Sequence, residues 1–335
     1  MSDVTEKVKV ALIGCGGFSR EYVQGGVQRS ELLEVVACYD VVGSEAAQAA
    51  EKFGARQCAS FEQAVTADGV EAALLITPNH VHREQAVAAL EAGKHVFVEK
   101  PMANTVAEGL AMVRAAERAE RILMVGHVTR RYPAFRVVQE ALRSGRLGRP
   151  ISGEANFSHG AGRVLPRDSW RADPARCPGL PLNVLGVHLV DVLNMLFGRP
   201  RIVAALHRRA VVATNDDCTA TLVAYDEPVT ATVVSHYSVP RVHELRIIGT
   251  EAVAEVHDFG AQFVLRGSKQ VIEQREMSGG GLDDELRVFG RAVRYGEAVE
   301  TDGRAGLEAL AVVEASVISA RESRFVRIDE LLEGF

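Results

Sequence analysis

No two of the five cysteines (Cys15, Cys38, Cys58, Cys177, Cys218) form a C-x-x-C pair, and their number is odd. A zinc knuckle and a disulfide framework are excluded as organising devices, since both rest on paired thiols. No apolar run is long enough to cross a bilayer. Neither sign of charge prevails: 38 Lys and Arg against 44 Asp and Glu leave a net charge of −6, with the basic residues dispersed. Such a surface offers no electrostatic footprint for nucleic acid or for an anionic membrane. Low-complexity tracts and internal repeats are missing too, and Met1–Lys9 is polar, unlike a secretory signal. These absences predict a protein of the reducing cytoplasm, without a metal centre.

What is present is ordinary globular composition, 47% hydrophobic and 24% charged. At 335 residues the chain exceeds the size at which one core usually stops growing, so two domains are expected. In residues 1–126, apolar runs at Val8–Ile13, Leu33–Tyr39, Val70–Ile76, His95–Val98 and Ile122–Val125 alternate with helical stretches. These stretches run to about Arg29 and over Ser44–Phe53, Val81–Ala92 and Thr105–Glu120. Continuous apolar strands joined by helical crossovers predict an α/β domain with a doubly wound parallel sheet.

The rhythm breaks at Gly145-Arg146-Leu147-Gly148-Arg149-Pro150. Period-two alternation follows over Thr219–Tyr225, Val229–Val239, Leu245–Ile248 and Ala252–Val256, with a hairpin turn at Asp226-Glu227-Pro228. Residues 127–335 are therefore read as an α+β domain. Its mostly antiparallel open sheet is expected to be covered on one face by helices at 184–197, 282–295 and 306–321. The Gly279-Gly280-Gly281 run reads as a mobile loop.

Gly14-Cys15-Gly16-Gly17-Phe18-Ser19 follows the first strand and opens the first helix. It satisfies the first two glycines of G-x-G-x-x-G, with Ser19 in the third place. The first glycine allows the tight turn, and the second lets a pyrophosphate approach the backbone at a helix N-terminus. Gly14, Gly16, Gly17, Phe18 and Ser19 are thus candidate dinucleotide contacts, with Cys15 a small filler. Asp40 closes the second strand, where a carboxylate binds ribose hydroxyls and repels a 2′-phosphate. Val41, Val42, Gly43 and Ser44 follow it with no Arg or Lys among them, so NAD is expected over NADP.

A strand ending in Glu99-Lys100-Pro101, preceded by Thr77-Pro78-Asn79-His80-Val81-His82, is followed by Gly126-His127 and Trp170-Arg171. Then come Pro178-Gly179-Leu180-Pro181-Leu182 and Gly186-Val187-His188-Leu189-Val190-Asp191. In this order the set resembles the glucose–fructose oxidoreductase / inositol dehydrogenase / MocA family over nearly the whole chain. The resemblance implies that Lys100 stands beside the nicotinamide and the reacting carbon, stabilising the developing alkoxide, and that His188 is the general acid/base. It implies a cis bond before Pro101. It places Thr77, Pro78, Asn79, His82, Glu99, Lys100 and Trp170 at the cofactor, and Lys100, His127, His159, Arg163, Asn183 and His188 at the substrate. Dimers or tetramers built through the second domain's sheet are implied as well.

Asp191, three residues after His188 on a helix, is read either as orienting the imidazole or as forming a salt bridge, with Asn183 as further support. Arg130 and Arg131 are read as pocket-lining or solvated. His80 and His82, at i and i+2, would not share a helix face as metal ligands. One departure stands out: the family's Asp four residues before the His is Val184 here, which cannot relay a proton. Three functions follow. The first is an NAD-dependent dehydrogenase transferring a hydride to or from a hydroxyl carbon of a sugar, inositol or related cyclic polyol, a small-molecule substrate. The second is an enzyme recycling tightly bound NAD during elimination or glycosidic cleavage. The third is a non-enzymatic NAD-binding regulator.

Overall fold

The computed structural model describes residues 6–226 and 228–332, so Glu227 of the expected hairpin turn lies outside the described residues. The chain forms two compact units. The first comprises the described chain up to Ala103, then Glu108–Gly126 and Gly281–Gly306. The second comprises Asn104–Ala107, His127–Gly280 and the chain from Leu307 on. Residues 281–306, assigned by the sequence cut to the second domain, thus belong to the first unit.

In the first unit, β1 (Val8–Ile13), β2 (Leu33–Tyr39), β3 (Arg56–Gln57), β4 (Ala72–Leu75), β5 (His95–Glu99) and β6 (Leu123–Gly126) form a six-stranded sheet. Its order is β3-β2-β1-β4-β5-β6 and every pair is parallel. Leu12, Leu74, Phe97 and Val98 are fully buried, which is why these strands read as unbroken apolar runs. The strand order reverses between β1 and β4. At such a switch point the carboxyl ends of the strands open a crevice for a ligand, and Gly14, Asp40, Thr77 and Lys100 follow those ends. Helix Leu282–Tyr295 packs on this sheet and not, as its position suggests, on the second. Its Leu286 and Phe289 share a core with Leu12, Leu74 and Phe97, and the Phe97 and Phe289 rings meet edge-on at 5.7 Å. An amphipathic pattern shows that a helix has an apolar face but not which sheet it covers.

In the second unit, β7 (Pro150–Ser158), β8 (Pro200–Arg208), β9 (Cys218–Tyr225), β10 (Thr230–His236) and β11 (Val242–Gly249) precede four shorter strands. These are β12 (Val253–His257), β13 (Gln262–Arg266), β14 (Val271–Glu276) and β15 (Val326–Arg327). The nine-stranded order is β14-β13-β12-β11-β7-β10-β9-β8-β15. The sheet is mostly antiparallel, with β7 and β10 running parallel. Along β9, Thr219, Thr221 and Val223 are buried while Ala220 and Leu222 are exposed, so one face is covered and the other open. Helix Val187–Phe197 seats on β7, where Gly153 leaves the necessary room: a Cβ there would stand 2.8 Å from Leu193 Cδ2. Helix Pro133–Arg143, opened by Pro133 in its first turn, buries Phe135 edge-on against His243 of β11. From Leu307 on, helix Gly303–Glu322 meets β8 and β9, with Ser319 Oγ accepting from Ala205 N at 2.9 Å. The cover is thus made by helices at 133–143, 187–197 and 307–322, the first unforeseen and the expected helix at 282–295 absent from it.

Candidate active site

The first unit builds a dinucleotide cradle. Gly14 has φ +87°, and a Cβ on it would lie 2.5 Å from the Ile76 carbonyl oxygen just past β4, so only glycine fits the turn that follows β1. Around Gly17 the corresponding space is empty to 4 Å, leaving bare backbone for a phosphate. Ser19 Oγ is buried without a hydrogen-bond partner among the described residues. Asp40 is built into the loop. Its Oδ2 accepts from Cys15 N at 2.7 Å and Gly16 N at 3.3 Å, and its Oδ1 from Val42 N at 2.8 Å. The Cys15 carbonyl accepts from Gln24 Nε2 at 2.9 Å. The neighbouring Cys38 and burial push the Cys15 thiol above its usual range, which suits a filler rather than a reactive thiolate. These residues fit a dinucleotide.

The ends of β4 and β5 carry a second group of the candidate residues. The Lys100–Pro101 peptide is cis, as the resemblance implies. His82 is 1% exposed, with Nε2 2.7 Å from Thr77 O and Nδ1 3.1 Å from Pro101 O. Burial pushes its imidazole down to about 4, so it is neutral near pH 7 and has one N–H for two carbonyls. The shorter contact assigns that proton to Nε2, donating to Thr77. His82 therefore fastens the segment after β4 beside the turn after β5. Thr77 Oγ1 is 2.6 Å from Gln85 Oε1, to which it donates, and Asn79 is buried. Burial pushes the Glu99 carboxyl up to about 7, partly opposed by Lys100, and Glu99 Oε2 accepts from Lys100 N at 3.2 Å. Gly126 faces it: a Cβ there would stand 3.2 Å from Glu99 Oε1.

The second unit gathers a separate polar cluster. His188 lies in the first turn of helix Val187–Phe197, its Nδ1 3.0 Å from Thr129 Oγ1 and its ring 5.6 Å from that of Phe157. Asp191 does not orient this imidazole. Its fully buried carboxylate accepts from Arg130 Nε at 2.7 Å and also from Arg130 Nη2, a two-pronged ion pair. Arg130 is correspondingly buried rather than solvated. His127 Nε2 is 3.9 Å from Asp191 Oδ1. Asn183 is buried in the turn Leu182–Gly186, its backbone N–H donating to Gly179 O at 3.1 Å. His159 Nδ1 accepts from Ala161 N at 3.2 Å, with its ring 4.7 Å from that of Tyr237. The adjacent Ser238 carbonyl accepts from Arg163 Nε at 3.0 Å. The Arg171 guanidinium lies 4.4 Å over the ring of Trp170.

Residues 8–127 match the model of an oxidoreductase family with an NAD-binding Rossmann fold, GFO_IDH_MocA, and residues 135–255 match the GFO/IDH/MocA C-terminal domain. The chain belongs to the GFO/IDH/MocA oxidoreductase family. It is 29% identical to the D-apiose dehydrogenase of Paraburkholderia graminis over 97% of this chain and 91% of that one. It is 24% identical to scyllo-inositol 2-dehydrogenase (NADP(+)) IolW of Bacillus subtilis, over 97% of both. An aldose-aldose oxidoreductase from Caulobacter crescentus, crystallised with glycerol, shares the fold with a TM-score of 0.88 at 24% identity, covering 96% of this chain and 100% of that one.

For a GFO/IDH/MocA oxidoreductase, the residue that sequence reading missed is Thr129, the neighbour of the His188 ring. It stands two places after His127 in a segment without helical or strand periodicity, 59 residues from its partner. Its one sequence signal is its place within Gly126-His127-Val128-Thr129-Arg130, directly after a strand that carries a site motif. Among the described residues no helix is long and apolar enough to cross a membrane.

Proposed function

We propose that this oxidoreductase is an NAD-dependent dehydrogenase of a sugar, inositol or related cyclic polyol, working in the cytoplasm. The observation that carries the reading is the placement of His188, a buried imidazole tethered at Nδ1 by Thr129. A tether on one ring nitrogen fixes the ring's orientation and assigns the proton work to the other. In oxidation His188 Nε2 takes the hydroxyl proton, and the Lys100 ammonium donates to the same oxygen as negative charge develops on it. The bound nicotinamide supplies the hydride acceptor. Thr77, Pro78, Asn79, Glu99 and Trp170 serve the cofactor, and His127, His159, Arg163 and Asn183 the substrate's hydroxyls. Asp40 favours NAD by ligating the adenosine ribose while holding the loop. The relatives named for apiose and scyllo-inositol support a polyhydroxylated substrate. The test is a screen of sugars, inositols and cyclic diols with NAD, following absorbance of the reduced nicotinamide. One substrate class is expected to reduce NAD stoichiometrically. Substrate conversion with no net reduction would instead identify an enzyme that recycles its cofactor.

We also propose that the open face of the nine-stranded sheet joins copies of this chain. It exposes Leu206 (61%), Leu222 (41%) and Phe325 (67%) beside an open cavity of about 490 Å³. Contiguous apolar surface of this kind marks an interface, and closed homo-oligomers are its commonest use. Light scattering at micromolar concentration is expected to give a dimeric or tetrameric mass, and Leu206→Glu to lower it. A monomeric parent would refute this.

A further inference from the structure

We infer that Glu45 is a determinant of dinucleotide preference in this chain and that Arg20 is a phosphate-binding group which Glu45 holds neutralised. The inference rests on the proposed preference for NAD and names the residues that would maintain it. Asp40 alone is a poor control point, because its carboxylate accepts three backbone N–H groups, two of them from the glycine loop. Removing it would leave Cys15 N and Gly16 N without their acceptor and disturb the cradle for any dinucleotide. Glu45 has no such duty. It lies in the first turn of helix Gly43–Phe53, and a Cβ on Gly16 would stand 3.4 Å from its carboxyl carbon and 3.6 Å from its Oε2. The second glycine of the loop is thus flanked by two carboxylates, Asp40 on its N–H and Glu45 on its open side.

Arg20 completes the arrangement. Its Nη1 donates to Glu45 Oε2 at 2.7 Å, with side chains 51% and 24% exposed. An exposed pair of this kind adds little to stability, so breaking it leaves the fold intact. Its electrostatic consequence is local. With Glu45 ionised, Arg20 is compensated, and a 2′-phosphate brought to the adenosine side of the loop meets the Asp40 and Glu45 carboxylates. With Glu45 neutral, the guanidinium is released next to the loop, where its planar fork suits a phosphate.

Binding of NADH and NADPH, followed by nicotinamide fluorescence and by calorimetry, tests this without any substrate. In Glu45→Gln the ratio of NADPH to NADH affinity is expected to rise about tenfold, as for removal of one partly solvated charge near a phosphate. Adding Arg20→Gln should cancel most of that rise, and raising the salt concentration should shrink it. Asp40→Ala, by contrast, should weaken both dinucleotides. An unchanged ratio in Glu45→Gln, with an unaltered melting temperature, overturns the role of Glu45. A rise that survives Arg20→Gln overturns the role of Arg20. Failure of the underlying reading shows in the parent instead: a parent that binds neither dinucleotide, or prefers NADPH, overturns NAD preference before any variant is made.

Discussion

Lys100→Met and His188→Ala are each expected to lower turnover by about a hundredfold or more, the usual cost of losing a charge-stabilising or acid/base group. Neither residue belongs to the Gly14–Ser19 loop, and His188 lies in the other compact unit, so dinucleotide affinity should change far less than turnover. Thr129 acts through His188 and its loss should be milder. Thr129→Val should reduce kcat about tenfold with little change in KM, because a methyl group cannot hold Nδ1 and the tether is worth about one hydrogen bond. Thr129→Ser should restore it, which a merely structural role for the methyl group would not produce. Calorimetry gives the affinities and single-turnover hydride transfer the rates. If His188→Ala turns over like the parent, the proton travels another way, with His127 the next group to test. If both His188→Ala and Lys100→Met keep the parental rate, the dehydrogenase mechanism assigned to them is wrong.

The cradle could be read in the sequence because everything that defines it is local. Gly14, Gly16 and Asp40 stand at strand ends whose apolar runs are unmistakable, and those runs are continuous because β1, β4 and β5 are buried on both faces. Where a strand is short and wet the signal vanishes: β3 consists of Arg56 and Gln57, both exposed. The second sheet was only partly legible. Period-two alternation marks β9 and β10, yet β7, β8, β13 and β14 were not read as strands at all. β7 carries Pro150 and Gly153, and β14 is mostly exposed, so neither presents a clean apolar face. Helix Leu282–Tyr295 showed its apolar face but not its destination. The partnerships of the second polar cluster were least legible, since Thr129 reaches His188 over 59 residues and Arg130 reaches Asp191 over 61. Helical spacing makes Asp191 the natural companion of His188 at i+3. A buried guanidinium with two aligned donors competes for the carboxylate and wins, because a charged bidentate pair is worth more than one bond to an imidazole.

That pair sets up the largest stability effect expected in the second unit. Arg130→Met should destabilise it by about 3–5 kcal/mol, since it strips the fully buried Asp191 carboxylate of its ion-pair partner and leaves it 3.9 Å from His127. Replacing both partners tells a different story. Arg130→Met combined with Asp191→Leu removes the stranded charge together with its partner, and should recover most of the loss if the new side chains pack. The one tryptophan, Trp170, lies in this unit, so urea unfolding followed by its fluorescence reports on the second unit rather than on the whole chain. If the double variant is no more stable than Arg130→Met, packing of the arginine stem rather than charge compensation accounts for the effect. If Arg130→Met unfolds like the parent, the carboxylate has another route to solvation and the buried pair is not the structural anchor that its geometry describes. Activity should follow a separate course, because Arg130 and Asp191 hold helix Val187–Phe197 to the segment that carries Thr129. The double variant is therefore expected to regain stability without regaining full turnover, as the pair's directional bonds, and not its burial alone, set the angle at which Thr129 meets the His188 ring.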